Sequence, residues 1–131
     1  MNRSLITTLL SACIVILIGS VILLSPVPPV GRDDLVHHLA VPKLYLKHGG
    51  IYEIPSLSFS YYPMNLDLLY MIPLYFGNDI APKLIHFAFG LMTAGVIFHY
   101  LRRRLDIRYA LIAVILFLSV PIIIKISSNA Y

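Results

Sequence analysis

Residues 5–24 of this chain read LITTLLSACIVILIGSVILL and contain no charged side chain. An α-helix needs about 20 apolar residues to cross the roughly 30 Å hydrocarbon core of a bilayer. The stretch therefore predicts a membrane-spanning helix over residues 5–25. A cleaved signal peptide is the alternative, since Arg3 supplies a basic start. The run is longer than the usual apolar region of about 7–15 residues, however, and no small-residue cleavage site follows it.

The composition of the whole chain also indicates a membrane protein. Of its 131 residues, 59% are hydrophobic and 12% are charged, against about 45–50% apolar and 25% charged in soluble domains. The net charge of +4 does not predict nucleic-acid binding, because the basic residues flank apolar runs instead of forming one patch. The single cysteine, Cys13, excludes an intrachain disulfide.

Two further apolar runs predict a second span over residues 80–101 and a third over residues 108–126. Lys83 is tolerated near the start of the second run because a lysine at a helix end can extend to the interface. Four arginines, Arg102, Arg103, Arg104 and Arg108, crowd the connection over residues 102–108, which is typical of a cytoplasmic loop. With Arg3 also inside, the sequence predicts a multi-pass protein of the inner (plasma) membrane. Its amino end is cytoplasmic and residues 26–79 form an external or periplasmic loop.

The first part of the external loop predicts an amphipathic helix at the membrane surface. After Asp34 the sequence reads LVHHLAVPKLYLKHGG, in which apolar residues recur at helical spacing. The residues that share this apolar face are Leu35, Val36, Leu39, Tyr45 and Leu46. Pro42 predicts a bend in the helix, and Gly49 with Gly50 predicts its end.

Residues 64–76 predict a second, shorter helix in the same loop. The run is apolar, but it has only about 13 residues and includes Asp67 and Pro73, so it falls short of a span. An interfacial or re-entrant helix fits it better. The expected fold class is therefore all-α integral membrane, with three transmembrane helices and a long external loop that carries two interfacial helices.

The external loop also holds the adjacent carboxylates Asp33 and Asp34. A carboxylate at the membrane face suits the removal of a proton from a hydroxyl or amine acceptor. The alternative is that one of the two caps the following helix by accepting hydrogen bonds from its free backbone amides. Both roles are compatible, since neighbouring residues point in different directions.

Other polar residues of the loop allow a functional and an ordinary interpretation. His37 and His38 are neighbours, and neighbours on an α-helix diverge by about 100°, so we do not expect them to share a metal ion. Lys43, one turn before Lys47, can hold a lipid phosphate or lie on the solvated side of the surface helix. Tyr62 can stack on a sugar ring or belong to the aromatic belt of the interface.

The order of these elements resembles a known superfamily. A span is followed by the acidic pair, by HLAVPKLYLKHGGI and YYPMNLDLLY, by GNDIAPKLIHFAFGLMTAGVIFHYLRRR, and by a span that ends in AY. Together these segments cover residues 5–131. They resemble the membrane glycosyltransferases of the C-type (GT-C) fold, the superfamily of protein O-mannosyltransferases and lipid A aminoarabinose transferases.

The resemblance implies an enzyme of the cell envelope that moves a sugar from a polyprenyl-phosphate donor to an acceptor at the outer or periplasmic face. Asp33 stands where the family has its catalytic base, and Asp34 follows it. The implied reaction inverts the anomeric carbon: the acceptor attacks that carbon, Asp33 takes the acceptor's proton, and the lipid phosphate leaves.

The resemblance also bears on substrate-binding residues. His37 and His38 fall where relatives have loop residues near the acidic pair, and we expect them to orient substrate. We also expect Lys43 and Tyr62 to bind substrate, Lys43 through a phosphate and Tyr62 through a sugar ring. Tyr62 and Pro63 stand where the aminoarabinose transferases have a Lys-Pro pair, so the sequence does not indicate that particular activity. The sequence indicates no cofactor and leaves open a divalent metal in the full-length enzyme.

Relatives continue from the AY of the third span into a further acidic residue and many more membrane helices. We therefore expect this chain to be an amino-terminal part of such an enzyme, a partial GT-C fold without transferase activity of its own. The alternative is a small non-enzymatic membrane protein that binds a partner helix through His86 and residues 90–95. A transporter fragment fits less well, because a long external loop with an acidic pair is unlike a transporter bundle.

Overall fold

The computed structural model describes residues 2–27, 31 and 34–128 of the chain. Within these ranges every regular element is helical and none is a strand. The elements are α1 (Arg3–Leu24), a π-helix (Asp34–His38), α2 (Ala40–His48), a 3₁₀-helix (Ser58–Tyr61), α3 (Asn65–Tyr75), α4 (Ala81–Arg104), α5 (Ile107–Leu118) and α6 (Pro121–Ser128). The described residues divide into two compact units, residues 2–24 with 87–128 and residues 25–86, so the boundary falls inside α4.

Two helices are long and apolar enough to cross a membrane. α1 has 22 residues and α4 has 24, which at about 1.5 Å per residue suffices for a hydrocarbon core of about 30 Å. Only 6% of the most apolar window of α1 and 11% of that of α4 is buried inside the chain. Most of this apolar surface therefore finds no cover within the described structure.

The third predicted span is not confirmed, because residues 108–126 do not form one continuous helix. α5 has 12 residues and ends at Leu118, and α6 has eight residues and begins at Pro121. Neither is long enough by itself for a span. Proline has no amide hydrogen and its ring clashes with the carbonyl four residues earlier, whereas it fits the first position of a helix. Pro121 therefore ends one helix and begins the next.

In the first unit, α1 packs against α5 and α6. Ala94 of α4 and Val114 and Leu118 of α5 form the buried centre. The apolar side chains packed around them come from α1, α4 and α5: Ile14, Leu17, Ile18, Ile97, Phe98 and Phe117. At Gly90 an added Cβ would lie 3.7 Å from the Ser127 hydroxyl, so Gly90 faces α6 of the same chain.

The connection between α4 and α5 is closed by a helix cap. The Asp106 carboxylate accepts hydrogen bonds from the Arg108 amide at 3.0 Å and from the Arg108 Nε at 2.9 Å. These bonds stabilise the ionised carboxylate and hold the pKa of Asp106 below its ordinary value of 3.8. Asp106 is thus ionised at neutral pH and satisfies amides at the start of α5.

In the second unit, α2 packs against α3. Two small apolar clusters result: the first is buried around Leu39, Tyr70 and Leu74, and the second around Val41, Tyr45 and Ile54. The predicted short helix in residues 64–76 is therefore present as α3. Its 11 residues lie against protein along one side.

The predicted surface helix differs from the observed one at its beginning. Leu39 and Tyr45 are buried as predicted, but Leu35 and Val36 are exposed, because residues 34–38 form a π-helix and the α-helix begins only at Ala40. The bend predicted near Pro42 stays a prediction; the helix type changes three residues earlier, at Leu39. Pro42 lies in the first turn of α2, where its missing amide hydrogen costs no helical hydrogen bond.

Lys83 also differs from the prediction that it extends to the interface. Its side chain is 1% exposed within the second unit, and its ammonium group donates a hydrogen bond to the carbonyl oxygen of Val27. Val27 lies three residues past the end of α1, outside any helix. The buried ammonium group and this backbone carbonyl therefore satisfy each other.

The predicted end of α2 is confirmed at Gly49. This glycine has φ of 84°, and its amide donates to the carbonyl oxygen of Tyr45 at 3.0 Å, as does the amide of Gly50. A side chain disfavours this left-handed conformation, and glycine adopts it without cost.

We expect Gly49→Ala to lower the free energy of unfolding by about 1 kcal/mol, because an L-residue is strained at positive φ. Gly50→Ala is the matched control, since Gly50 does not have a positive φ and an added Cβ there meets nothing within 4 Å. Thermal unfolding of both variants in detergent, followed by circular dichroism, measures the difference. Equal effects of the two substitutions would contradict this account of the helix end.

Candidate functional site

The predicted catalytic pair lies at the edge of what the structure describes. Asp33, the predicted base, lies outside the described residues. Asp34 is the first residue of the π-helix Asp34–His38, and its side chain also lies outside them. The described part of the candidate site therefore begins with the two histidines that follow.

His38 is held by a buried carboxylate that the sequence analysis did not assign to the site. The Nδ1 atom of His38 lies 3.1 Å and 3.2 Å from the two carboxylate oxygens of Asp67 in α3. The Asp67 side chain is 6% exposed and that of His38 is 22% exposed. A carboxylate in its ionised form only accepts hydrogen bonds, so in this pair Nδ1 is the donor and Nε2 is the ring nitrogen that Asp67 leaves unused.

The pairing explains why an acidic residue is tolerated in the apolar run over residues 64–76. A buried carboxylate is costly in free energy unless a donor compensates it. A lone aspartate in an apolar helix is thus a signal that a partner exists. The sequence does not say which of the five histidines or ten basic residues that partner is.

His37 belongs to an aromatic cluster that joins the π-helix to the 3₁₀-helix. Its ring stacks on Phe59, with centroids 4.2 Å apart and planes at 15°. Tyr62 lies beyond Phe59, with ring centroids 6.0 Å apart, and is 64% exposed. The structure therefore links three predicted substrate-binding residues through ring contacts: His37 and Tyr62 lie on either side of Phe59, which the sequence analysis did not single out, and His38 lies against His37.

The rings of His37 and His38 lie closer than expected for neighbours on an α-helix, with centroids 4.3 Å apart. The reason is the π-helix, whose turns hold more residues, so that successive side chains diverge less. Among the described side chains no three histidine, cysteine, aspartate or glutamate residues converge as metal ligands do. The side chains of Asp33 and Asp34 lie outside that description.

Lys43, the remaining predicted substrate-binding residue, has a carboxylate partner. Its ammonium group lies 2.8 Å from an Asp79 carboxylate oxygen, and both side chains are nearly half exposed. Such an exposed pair contributes little to stability. It means, however, that a lipid phosphate at Lys43 has to compete with Asp79.

His86 has a partner within its own unit. Its Nδ1 lies 3.2 Å from the hydroxyl group of Tyr70, and Tyr70 is fully buried. The alternative function by helix-partner binding relied on His86 and residues 90–95. His86 thus contacts Tyr70 and Gly90 faces Ser127, whereas Met92 is exposed and an added Cβ at Gly95 would meet nothing within 4 Å.

No protein-family model, curated protein or solved structure matches this chain. Any proposal about function therefore depends on the chemistry of these residues and on the order of the elements.

The His38–Asp67 pair should be energetically coupled. We expect Asp67→Ala alone to destabilise the chain by about 1–3 kcal/mol, because it leaves the buried Nδ1–H without its acceptor. The coupling between Asp67→Ala and His38→Ala, from a double-mutant cycle measured by unfolding in detergent, should be about 0.5–3 kcal/mol.

Glu53→Ala is the matched control for this cycle, because Glu53 is an exposed carboxylate in the same unit. It should change stability little and be additive with His38→Ala. Additive effects of Asp67→Ala and His38→Ala would show that the pair does not hold the site together.

Proposed function

We propose that this chain is the amino-terminal part of a membrane glycosyltransferase, which moves a sugar from a polyprenyl-phosphate donor to an acceptor at the outer or periplasmic face. The resemblance of the element order to the GT-C superfamily supports the proposal. The observation that carries it is the contact between Asp67 and His38, a histidine that follows Asp34 by four residues in the sequence. A carboxylate base together with an oriented imidazole is a typical set of groups for proton transfer from a hydroxyl or amine group.

In the proposed reaction the acceptor oxygen or nitrogen forms a bond to the anomeric carbon as the bond from that carbon to the lipid phosphate breaks. Asp33 takes the acceptor's proton and the phosphate leaves with the electron pair of the broken bond. Asp67 fixes the ring of His38, so that Nε2 can orient the acceptor or a phosphate oxygen. The exposed ring of Tyr62 offers a face for the sugar.

The proposed topology follows from α1 and α4. If both helices cross the membrane, Arg3 at the start of α1 and Arg102, Arg103 and Arg104 at the end of α4 lie on the same side. The positive-inside rule makes that side cytoplasmic, and residues 26–79 with the candidate site then lie outside. The proposed third span requires α5 and α6 to cross together.

This topology predicts opposite labelling of two positions. In a Cys13→Ser background, a membrane-impermeant maleimide should label Ser56→Cys in cells with an intact plasma membrane, and Leu105→Cys only after permeabilisation. Both positions are exposed in the structure, so accessibility to water is matched. The reverse pattern, or an amino terminus found beyond residue 25, would contradict the proposal.

The proposed activity predicts accumulation of the donor when the gene encoding this chain is deleted. Mass spectrometry of lipid extracts should show one polyprenyl-phosphate sugar rising, and the unchanged gene should reverse this. The Asp33→Asn substitution, made in the full-length enzyme of which this chain is proposed to be the amino-terminal part, should lower the rate of transfer in isolated membranes by about 10²–10⁴-fold, the usual contribution of a general base.

Glu53→Gln is the matched control for the transfer assay, since it removes an exposed charge of the same unit without touching the candidate site. It should support transfer at the unchanged rate. A deletion strain with an unaltered pool of lipid-linked sugars would overturn the proposed function.

A further inference from the structure

One face of α4 in the first unit forms an open groove of about 610 Å³. The residues that line it are Met92, Gly95, Val96, His99, Tyr100 and Arg103. Their spacing is that of a single helical stripe. Ala94, Ile97 and Phe98 belong instead to the core of the unit, so the groove lies on a side of α4 that the described helices leave uncovered.

Gly95 creates the apolar floor of this groove. A Cβ added at Gly95 would meet nothing within 4 Å, while Met92 and Val96 on either side are 56% and 69% exposed. The floor is thus a depression between two exposed apolar side chains. In a membrane such a depression is filled by lipid or by another helix.

The carboxyl-terminal end of the groove is cationic. Arg102 lies over the ring of Phe98 at 5.9 Å, and Arg104 lies over the ring of Tyr100 at 4.8 Å, so both guanidinium groups are engaged with their own helix. Arg103, between them, lines the groove. None of the ion pairs among the described residues includes Arg103. Beside it, His99 and Tyr100 add an imidazole and a hydroxyl group.

We propose that this groove binds one anionic phospholipid, with an acyl chain along Met92, Gly95 and Val96 and the phosphate against Arg103. The groove is apolar at one end and cationic at the other, which matches the two parts of that ligand. A second copy docked in parallel would bring two arginine clusters together, and like charges oppose such pairing. The inference requires α4 to lie in a membrane and does not depend on sugar transfer.

The test measures binding of single lipids to the purified chain in neutral detergent by native mass spectrometry. Phosphatidylglycerol should bind about tenfold more tightly than phosphatidylcholine. Arg103→Gln should weaken phosphatidylglycerol binding about fivefold, the usual effect of one basic residue at an anionic lipid surface. Gly95→Leu should weaken binding of both lipids, because its side chain fills the depression.

Arg102→Gln is the matched control, since it removes the same charge from a residue that lies over Phe98. It should change the affinity less than twofold, and circular dichroism should show unchanged helix content for every variant. Equal effects of Arg102→Gln and Arg103→Gln would overturn the proposal in favour of a diffuse charge effect.

Two further outcomes would identify a different occupant and overturn the proposal. Inorganic phosphate that displaces phosphatidylglycerol at millimolar concentration would indicate a site for a free anion. A Gly95→Cys variant in the Cys13→Ser background that forms a disulfide-linked dimer, and binds no lipid when reduced, would indicate a second copy. A failure of lipid binding would not change the result of the transfer assay. The proposal of a lipid site and the proposal of sugar transfer are therefore tested independently.

Discussion

The apolar surface of α1 and α4 is the constraint on which the rest of this structure depends. Only 6% and 11% of the most apolar window of the two helices is buried inside the described structure. Apolar area exposed to water is costly in free energy, at about 25 cal/mol per Å², and helices of this length satisfy their own backbone groups in hydrocarbon. Both helices are thus long and apolar enough to cross a bilayer, which would remove this cost.

The polar groups of the second unit are arranged under the same constraint. Asp67 and Lys83 are 4% and 1% exposed, and neither is left uncompensated: Asp67 accepts from His38, and Lys83 donates to the Val27 carbonyl. Pairing of this kind allows a short apolar helix such as α3 to bury a carboxylate. Because the buried carboxylate of Asp67 needs a donor, the contact restricts the orientation of the His38 ring.

The sequence predicted the features that depend on local spacing and failed where distant residues meet. The lengths of α1 and α4 and the end of α2 at Gly49 follow from apolar runs and from the conformational freedom of glycine. The break before Pro121 also has a local signal, the proline itself. The apolar run continues on both sides of that proline, however, and therefore predicted one continuous helix. The π-helix has no clear sequence signal. The contact between His38 and Asp67 joins residues 29 positions apart, which periodicity cannot reveal.

The cationic side chains of α4 lie in two different environments. Near its start, Lys83 lies inside protein, where a backbone carbonyl replaces the water that the ammonium group has lost. At its end, Arg102 and Arg104 are exposed and lie over aromatic rings of the same helix. Guanidinium groups pair with ring faces at little cost of desolvation, whereas a compact ammonium group is strongly hydrated. Arg103, exposed between these two engaged arginines, belongs to none of the ion pairs among the described residues, which is why the proposed lipid phosphate is placed there.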